Sequence, residues 1–293
     1  MPKIRVDGRN FHYWQSGQGP DLVLVHGLGG NLAGWHLTMV PELQQHYRVT
    51  TYDLRGHGRS DAPRAGYTTG DMAEDLRGLM DALHVGPARI VGHSWGADIV
   101  LHFALLHPAR VSQIVLIEAA LLAPLADLYR KQDWEGWPYV TRTLEQLIGA
   151  PIPEDKRHDL DYLIRLIIEI PIMYGPAKGR MRDEEAVLRV LEVLMPMWNG
   201  DDARGELTVD SLARILHPTL AMSEANSVFR GAFETVQDRL PRCTPAVLPG
   251  GKLKHFTGLE HPELILEHMK AFLQPEAAPS LLRVSDDIEE RIS

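Results

Sequence analysis

Residues 92–96 read Gly92-His93-Ser94-Trp95-Gly96. They follow the apolar run Ala88-Arg89-Ile90-Val91 and precede the helix-like stretch Ala97-Asp98-Ile99-Val100-Leu101-His102-Phe103-Ala104. A serine hydroxyl is a poor nucleophile at neutral pH, so a chain that uses one must lift it onto a sharp strand-to-helix turn open to substrate and base. Such a turn crowds its flanks, which explains a glycine two positions before and two after. G-x-S-x-G alone is a weak signal, because three fixed positions recur by chance and a flexible loop can carry them. The strand before it and the helix after it make the pattern a nucleophile elbow, with Ser94 the candidate nucleophile.

Outward from the elbow, short apolar runs alternate with helix-length amphipathic segments. Leu22-Val23-Leu24-Val25 precedes a helix near Trp35 to His46, and Arg48-Val49-Thr50-Thr51-Tyr52 precedes one from Met72 to Val85. In the latter, Met72, Leu76, Leu79, Met80 and Leu83 recur at helical spacing, a core-packing stripe that Gly86-Pro87 stops. The alternation predicts an α/β fold with a mostly parallel sheet flanked by helices. At the N-terminus, Met1 to Gly8 lacks the apolar core of a signal peptide and reads as a hairpin turning at Asp7-Gly8.

After the strand-like run Val111 to Glu118 the pattern fails. From Ala119 to about Arg214 the chain is rich in Trp, Met, Leu and Pro, until Thr219-Leu220-Ala221-Met222 resumes the sheet. The expected organisation is a core of residues 1–118 and 215–273, a helical insertion of 119–214 between two strands, and a tail of 274–293 beyond a last helix near Pro262 to Leu273.

Composition narrows the function. The formal net charge of -9, with no Lys/Arg block, opposes a phosphate-binding role, so no nucleic-acid partner is expected. The longest apolar region, Tyr162 to Tyr174, is interrupted by Arg165, Glu169 and Pro171, too short and too charged for a membrane span. The one cysteine, Cys243, cannot form an internal disulfide and reads as buried or inert, which fits a reducing, cytoplasmic setting.

The chain resembles the α/β-hydrolase family from about residue 4 to residue 273. His26-Gly27-Leu28-Gly29-Gly30 resembles the family's oxyanion loop, and Asp53-Leu54-Arg55-Gly56-His57-Gly58-Arg59-Ser60 its loop after the next strand. His255, followed by Phe256 to Glu263, resembles the histidine loop, and the insertion resembles the cap domain. The resemblance implies that His255 takes the proton of Ser94 and that the backbone N–H groups of Leu28 and Trp95 form the oxyanion hole. It also implies scaffolding roles for His26, His57 and His93, and for Asp53 and Arg55 as loop braces.

The acid departs from the usual pattern. The strand Thr219-Met222 runs into Ser223-Glu224-Ala225-Asn226-Ser227, and Asn226 stands where most members carry Asp. A neutral amide cannot stabilise imidazolium. In haloalkane dehalogenases and mycotoxin lactone hydrolases the acid is a carboxylate at the end of the preceding strand, here Glu118 of Ile117-Glu118-Ala119. Glu118 is the preferred acid, and Glu224 its main competitor. Trp95 after the nucleophile is also similar to dehalogenases and epoxide hydrolases, but their nucleophile is Asp, whose carboxyl carbon water attacks. Serine offers no such carbon.

Trp134, Trp137, Tyr139, Met173, Tyr174, Met195, Met197 and Trp198 fall in the insertion. They form either the pocket lining or the insertion's own core, and lining would favour a bulky apolar substrate. The resulting expectation is a serine hydrolase of a small hydrophobic ester or lactone, needing no metal or cofactor, with a homodimer admitted. A thioesterase, a C–C bond hydrolase and a non-catalytic binding protein on the same scaffold are the alternatives.

Overall fold

The computed structural model describes residues 2–63, 65–159, 162–163, 166, 206–251, 255 and 261–273. Their centre is an eight-stranded sheet in the order β1-β2-β4-β3-β5-β6-β7-β8. The N-terminal hairpin β1 (Lys3–Val6) and β2 (Arg9–Ser16) turns at Asp7 and Gly8, both at positive φ, and adds its strands antiparallel. The remaining strands run parallel: β3 (Asp21–Val25), β4 (Arg48–Tyr52), β5 (Ala88–His93), β6 (Val111–Ile117), β7 (Thr219–Glu224) and β8 (Cys243–Leu248).

Period-2 alternation sorts each central strand onto two cores. Val23 and Val25 of β3 face one cluster with Ile114 and Leu116 of β6, beneath α3 (Thr69–Ala82), α4 (Trp95–Leu106) and α7 (Arg230–Arg239). Leu22, Leu24, Val115 and Ile117 face the other, covered by α1 (Ala33–Thr38), α2 (Val40–Leu43) and α8 (Pro262–Leu273). Helices on both faces are what a parallel sheet with apolar strands requires.

Three local readings shift. The helix expected from Trp35 to His46 is two short helices, because Pro41 in the first turn of α2 restarts the chain after Met39. The helix expected from Met72 begins at Thr69, fixed by a capping box in which Thr68 and Asp71 bind each other's backbone N–H. β8 and α7 had no expectation: β8 contains Pro245 and buries only Leu248 fully, so it lacks an apolar run.

Between β6 and β7 lie α5 (Ala126–Tyr129), α6 (Trp137–Ile148) and a 3-10 turn at Glu154–Lys156. Leu121, Leu207 and Leu212, at the ends of this stretch, join the core beneath α4, whereas Trp137, Leu144, Ile152 and Leu163 form a separate small cluster. Met173, Tyr174, Met195, Met197 and Trp198, and the tail 274–293, lie outside the described residues. No helix among the described residues is long and apolar enough to cross a membrane.

Candidate active site

Ser94 stands between β5 and α4 at φ 54 and ψ -125, a left-handed conformation that costs a non-glycine residue about 1–3 kcal/mol and persists only where surroundings impose it. Its N–H is held by the carbonyl of Ile117 at 2.9 Å and its carbonyl by the N–H of Ala97 at 2.8 Å. The flanking glycines are dictated by space. A Cβ at Gly92 would fall 2.5 Å from the Ala97 Cα, and one at Gly96 would fall 2.4 Å from the Val25 carbonyl oxygen.

His255 Nε2 lies 2.7 Å from Ser94 Oγ, and on the other side of the ring Nδ1 lies 3.5 Å from Glu118 Oε2. The second separation is that of an ion pair rather than a full hydrogen bond, and such contacts shorten in substrate complexes. Glu118 itself is at φ 53, at the C-terminal end of β6, and is buried. Its Oε2 accepts the Ser227 hydroxyl at 2.5 Å and its Oε1 accepts the backbone N–H of Glu224. Burial pushes its carboxyl up, but bonding and charge from His255, with the Ser227 and Glu224 donors, outweigh this and hold it below the usual carboxylate range. An imidazole between a hydroxyl and an ionised carboxylate can accept the hydroxyl proton and be stabilised as imidazolium.

Glu224 and Asn226 grip another segment. Glu224 Oε2 accepts the N–H of Gly251 at 3.0 Å, and Asn226 Nδ2 donates to the Gly251 carbonyl at 2.9 Å. Both thus hold the chain that leads to His255.

The loop after β3 meets the elbow at Gly27, where a Cβ would lie 2.9 Å from Ser94 Cβ, and Leu28 is the next residue of that loop. Trp95 is the first residue of α4, and its N–H therefore has no acceptor within the helix. Histidines shape this loop. His26 Nδ1 donates to the Gly27 carbonyl at 2.8 Å while its Nε2 accepts the Leu54 N–H at 3.0 Å. His57 Nδ1 donates to the Arg55 carbonyl at 2.9 Å while its Nε2 accepts the Gly29 N–H at 3.2 Å. Both patterns need a neutral ring. Burial supplies it, lowering His26 and bringing His57 down to about 4. His93 Nε2 donates to the His255 carbonyl at 3.2 Å, and burial, with the neighbouring His255, brings it to about 4. Asp53 accepts the N–H groups of Leu32 and Arg59 and pairs with His12 at 2.7 Å. Arg55 makes a two-pronged pair with buried Asp75.

A family model described as alpha/beta hydrolase fold matches residues 20–207. The chain belongs to the α/β hydrolase family. An uncharacterised protein of Mycobacterium tuberculosis is 38% identical over 104 residues, 36% of this chain and 30% of that protein. Epoxide hydrolase 2 of Siraitia grosvenorii is 34% identical over 121 residues, 41% of this chain and 38% of its own. These matches thus span well under half of the relatives' length. A solved structure titled as an N-acyl homoserine lactone degrading enzyme superposes with a TM-score of 0.67 at 25% identity, covering 92% of this chain and all of its own.

Four residues of this α/β hydrolase's candidate site, Ser227, Phe229, Tyr129 and Asp98, were not singled out from the sequence. Ser227 carries no local signal, since only the sheet brings it to Glu118. Phe229, its N–H bound to Ser227 Oγ at 3.1 Å, packs its ring against His255 with centroids 4.7 Å apart. Tyr129 and Trp134 extend that contact, with rings 5.6 and 6.3 Å from Phe229. Asp98 did leave a signal, as the one carboxylate in the apolar helix α4. Among the described residues no group of three or more His, Cys, Asp or Glu is placed to hold a metal ion. Cys243 is half-buried, its thiol pushed up to about 11 by burial.

Proposed function

We propose that this protein is a serine hydrolase that cleaves a hydrophobic carboxylic ester or lactone through an acyl-enzyme. The observation that carries the reading is the line Ser94 Oγ, His255, Glu118, with separations of 2.7 and 3.5 Å. In the first half-reaction Ser94 Oγ bonds to the carbonyl carbon as its proton passes to His255 Nε2. The N–H groups of Leu28 and Trp95 receive the oxyanion. Collapse breaks the bond to the alcohol oxygen, which takes the proton from His255. Water then repeats the sequence, with His255 again as base, to free Ser94. With a lactone the alcohol stays tethered to the acyl group throughout, and the second step releases a single hydroxy acid.

The Phe229 ring against His255, with Tyr129 and Trp134 behind it, supports an apolar substrate. The likeness to a lactone-degrading enzyme over 92% of the chain supports the lactone arm of the reading. The aspartate chemistry of epoxide hydrolases does not transfer to a serine at position 94.

Labelling with a fluorophosphonate, followed by a panel of p-nitrophenyl esters, lactones and thioesters, tests this. Wild type should label and turn over esters or lactones. Ser94→Ala should lose the label and on the order of 10^6-fold in rate. Activity of Ser94→Ala within tenfold of wild type would overturn the reading.

A further inference from the structure

Glu118 is followed at once by a turn whose backbone is forced. Glu118 has φ 53 and Leu121 φ 48, two non-glycine residues in the left-handed region within four positions. Each is disfavoured for a residue with a side chain and persists only where neighbours impose it. The neighbour here is Asp98, buried on α4 one turn beyond Ser94. Its Oδ1 accepts the N–H of Leu121 at 2.8 Å and its Oδ2 that of Leu122 at 2.9 Å, with the N–H of Ala120 also directed at the carboxyl group. From the other side the Tyr129 hydroxyl donates to the Ala120 carbonyl. Convergent N–H donors call for a side chain with two accepting oxygens and no obligatory donor, and a carboxylate is the side chain that has them.

We propose that Asp98 is a positioning residue: by clasping the backbone of residues 120–122 it holds Glu118 in the strained conformation that aims its carboxylate at His255. The proposal rests on the reading of Glu118 as the acid. Asp98 touches no reacting atom. It ties the helix that starts at the nucleophile to the turn that starts at the acid, so the two ends of the site are set by one side chain. Cutting this tie should spare substrate binding and impair the step in which imidazolium forms.

The test is a double-mutant cycle, with kcat and KM measured on p-nitrophenyl butyrate at pH 8 for wild type, Asp98→Asn, Glu118→Gln and the double variant. Asn matches Asp in size but has one accepting oxygen, and its NH2 confronts one of the N–H donors. Asp98→Asn should lower kcat roughly 10- to 100-fold, the range for partners that orient a reacting group, and leave KM within about twofold. In the Glu118→Gln background the same change should cost less than about threefold, because an aim already useless cannot be lost again. Equal losses in both backgrounds, or an unchanged kcat, would show that Asp98 supports the fold and does not act through the acid. A fully active Glu118→Gln would instead overturn the assignment of Glu118 and the proposal with it. If Asp98→Asn does not fold, Tyr129→Phe removes the opposite hold on the same turn. Its several-fold loss in kcat should vanish in the Glu118→Gln background, and equal losses in both would overturn the proposal.

Discussion

The Ser227 hydroxyl donates to Glu118 Oε2 at 2.5 Å, the same carboxylate oxygen that faces His255 Nδ1. One oxygen is thus shared between a neutral donor and the imidazole, and the hydroxyl is itself oriented by accepting the Phe229 N–H. Ser227→Ala frees Oε2 to rotate and removes the tie to Phe229. Its kcat should fall about tenfold with folding intact, a loss near 1.4 kcal/mol and typical of one hydrogen bond to a charged group. Steady-state kinetics beside a thermal melt check this, and an unaltered kcat would count against a role for Ser227 in holding Glu118 Oε2.

On the proposed reading of Glu118 as the acid, Glu118→Gln keeps size and removes charge, so kcat should drop on the order of 10^3- to 10^4-fold, as in triads that lose their acid. Glu224→Gln should cost far less, since its carboxylate serves the Gly251 N–H. Asn226→Asp should not rescue Glu118→Gln: its side chain now donates to the Gly251 carbonyl, and a carboxylate there would repel that oxygen. Rescue in a stopped-flow assay would mean that the second strand end also reaches His255.

Gly96→Ala should destabilise the protein by about 3 kcal/mol, because the new Cβ would press on the backbone oxygens of Val25 and His26 rather than on a side chain that can turn away. Urea unfolding gives the number, and a loss below about 1 kcal/mol would show that the elbow can relax.

Stability should fall on acidification from pH 6.5 towards pH 4. His57 and His93 are brought to about 4 in the fold by burial, while the unfolded chain protonates them near 6.5. In that window the unfolded chain therefore binds more protons, and stability decreases as pH decreases. Asp98 works with the opposite sign. Burial pushes its carboxyl up to about 7, so between 3.8 and about 7 the fold holds a proton that the unfolded chain releases. The lowered imidazoles, with His26 and His36 beside these two, outnumber the raised carboxyls Asp98 and Asp75, so the net effect is a loss of stability on acidification. Melting temperatures between pH 7 and pH 4.5 should show the decline, and a rise over that range would contradict it.

Much of this was legible in the sequence. Ser94 was readable because an elbow is a local object: its strand, glycines and helix lie within about twenty consecutive residues. The strands β3 to β7 were readable because a parallel sheet covered on both faces leaves continuous apolar runs, as in Leu22 to Val25. His255 and Glu118 were reachable only through a resemblance, since nothing near either residue states what it faces. What the sequence by itself determined was the parallel α/β order and the candidate nucleophile; the missing carboxylate at Asn226 was legible only against the family the chain resembles. The tertiary structure decided the contacts that depend on register between distant strands. Parallel pairing of Ile117 with Met222 is what brings Ser227 and the Glu224 N–H to Glu118, and packing of α4 against the exit of β6 is what brings Asp98 to Leu121 and Leu122. A hydrogen bond between residues more than a hundred positions apart leaves no periodicity behind, because its partners are chosen by the sheet and not by their neighbours in the chain.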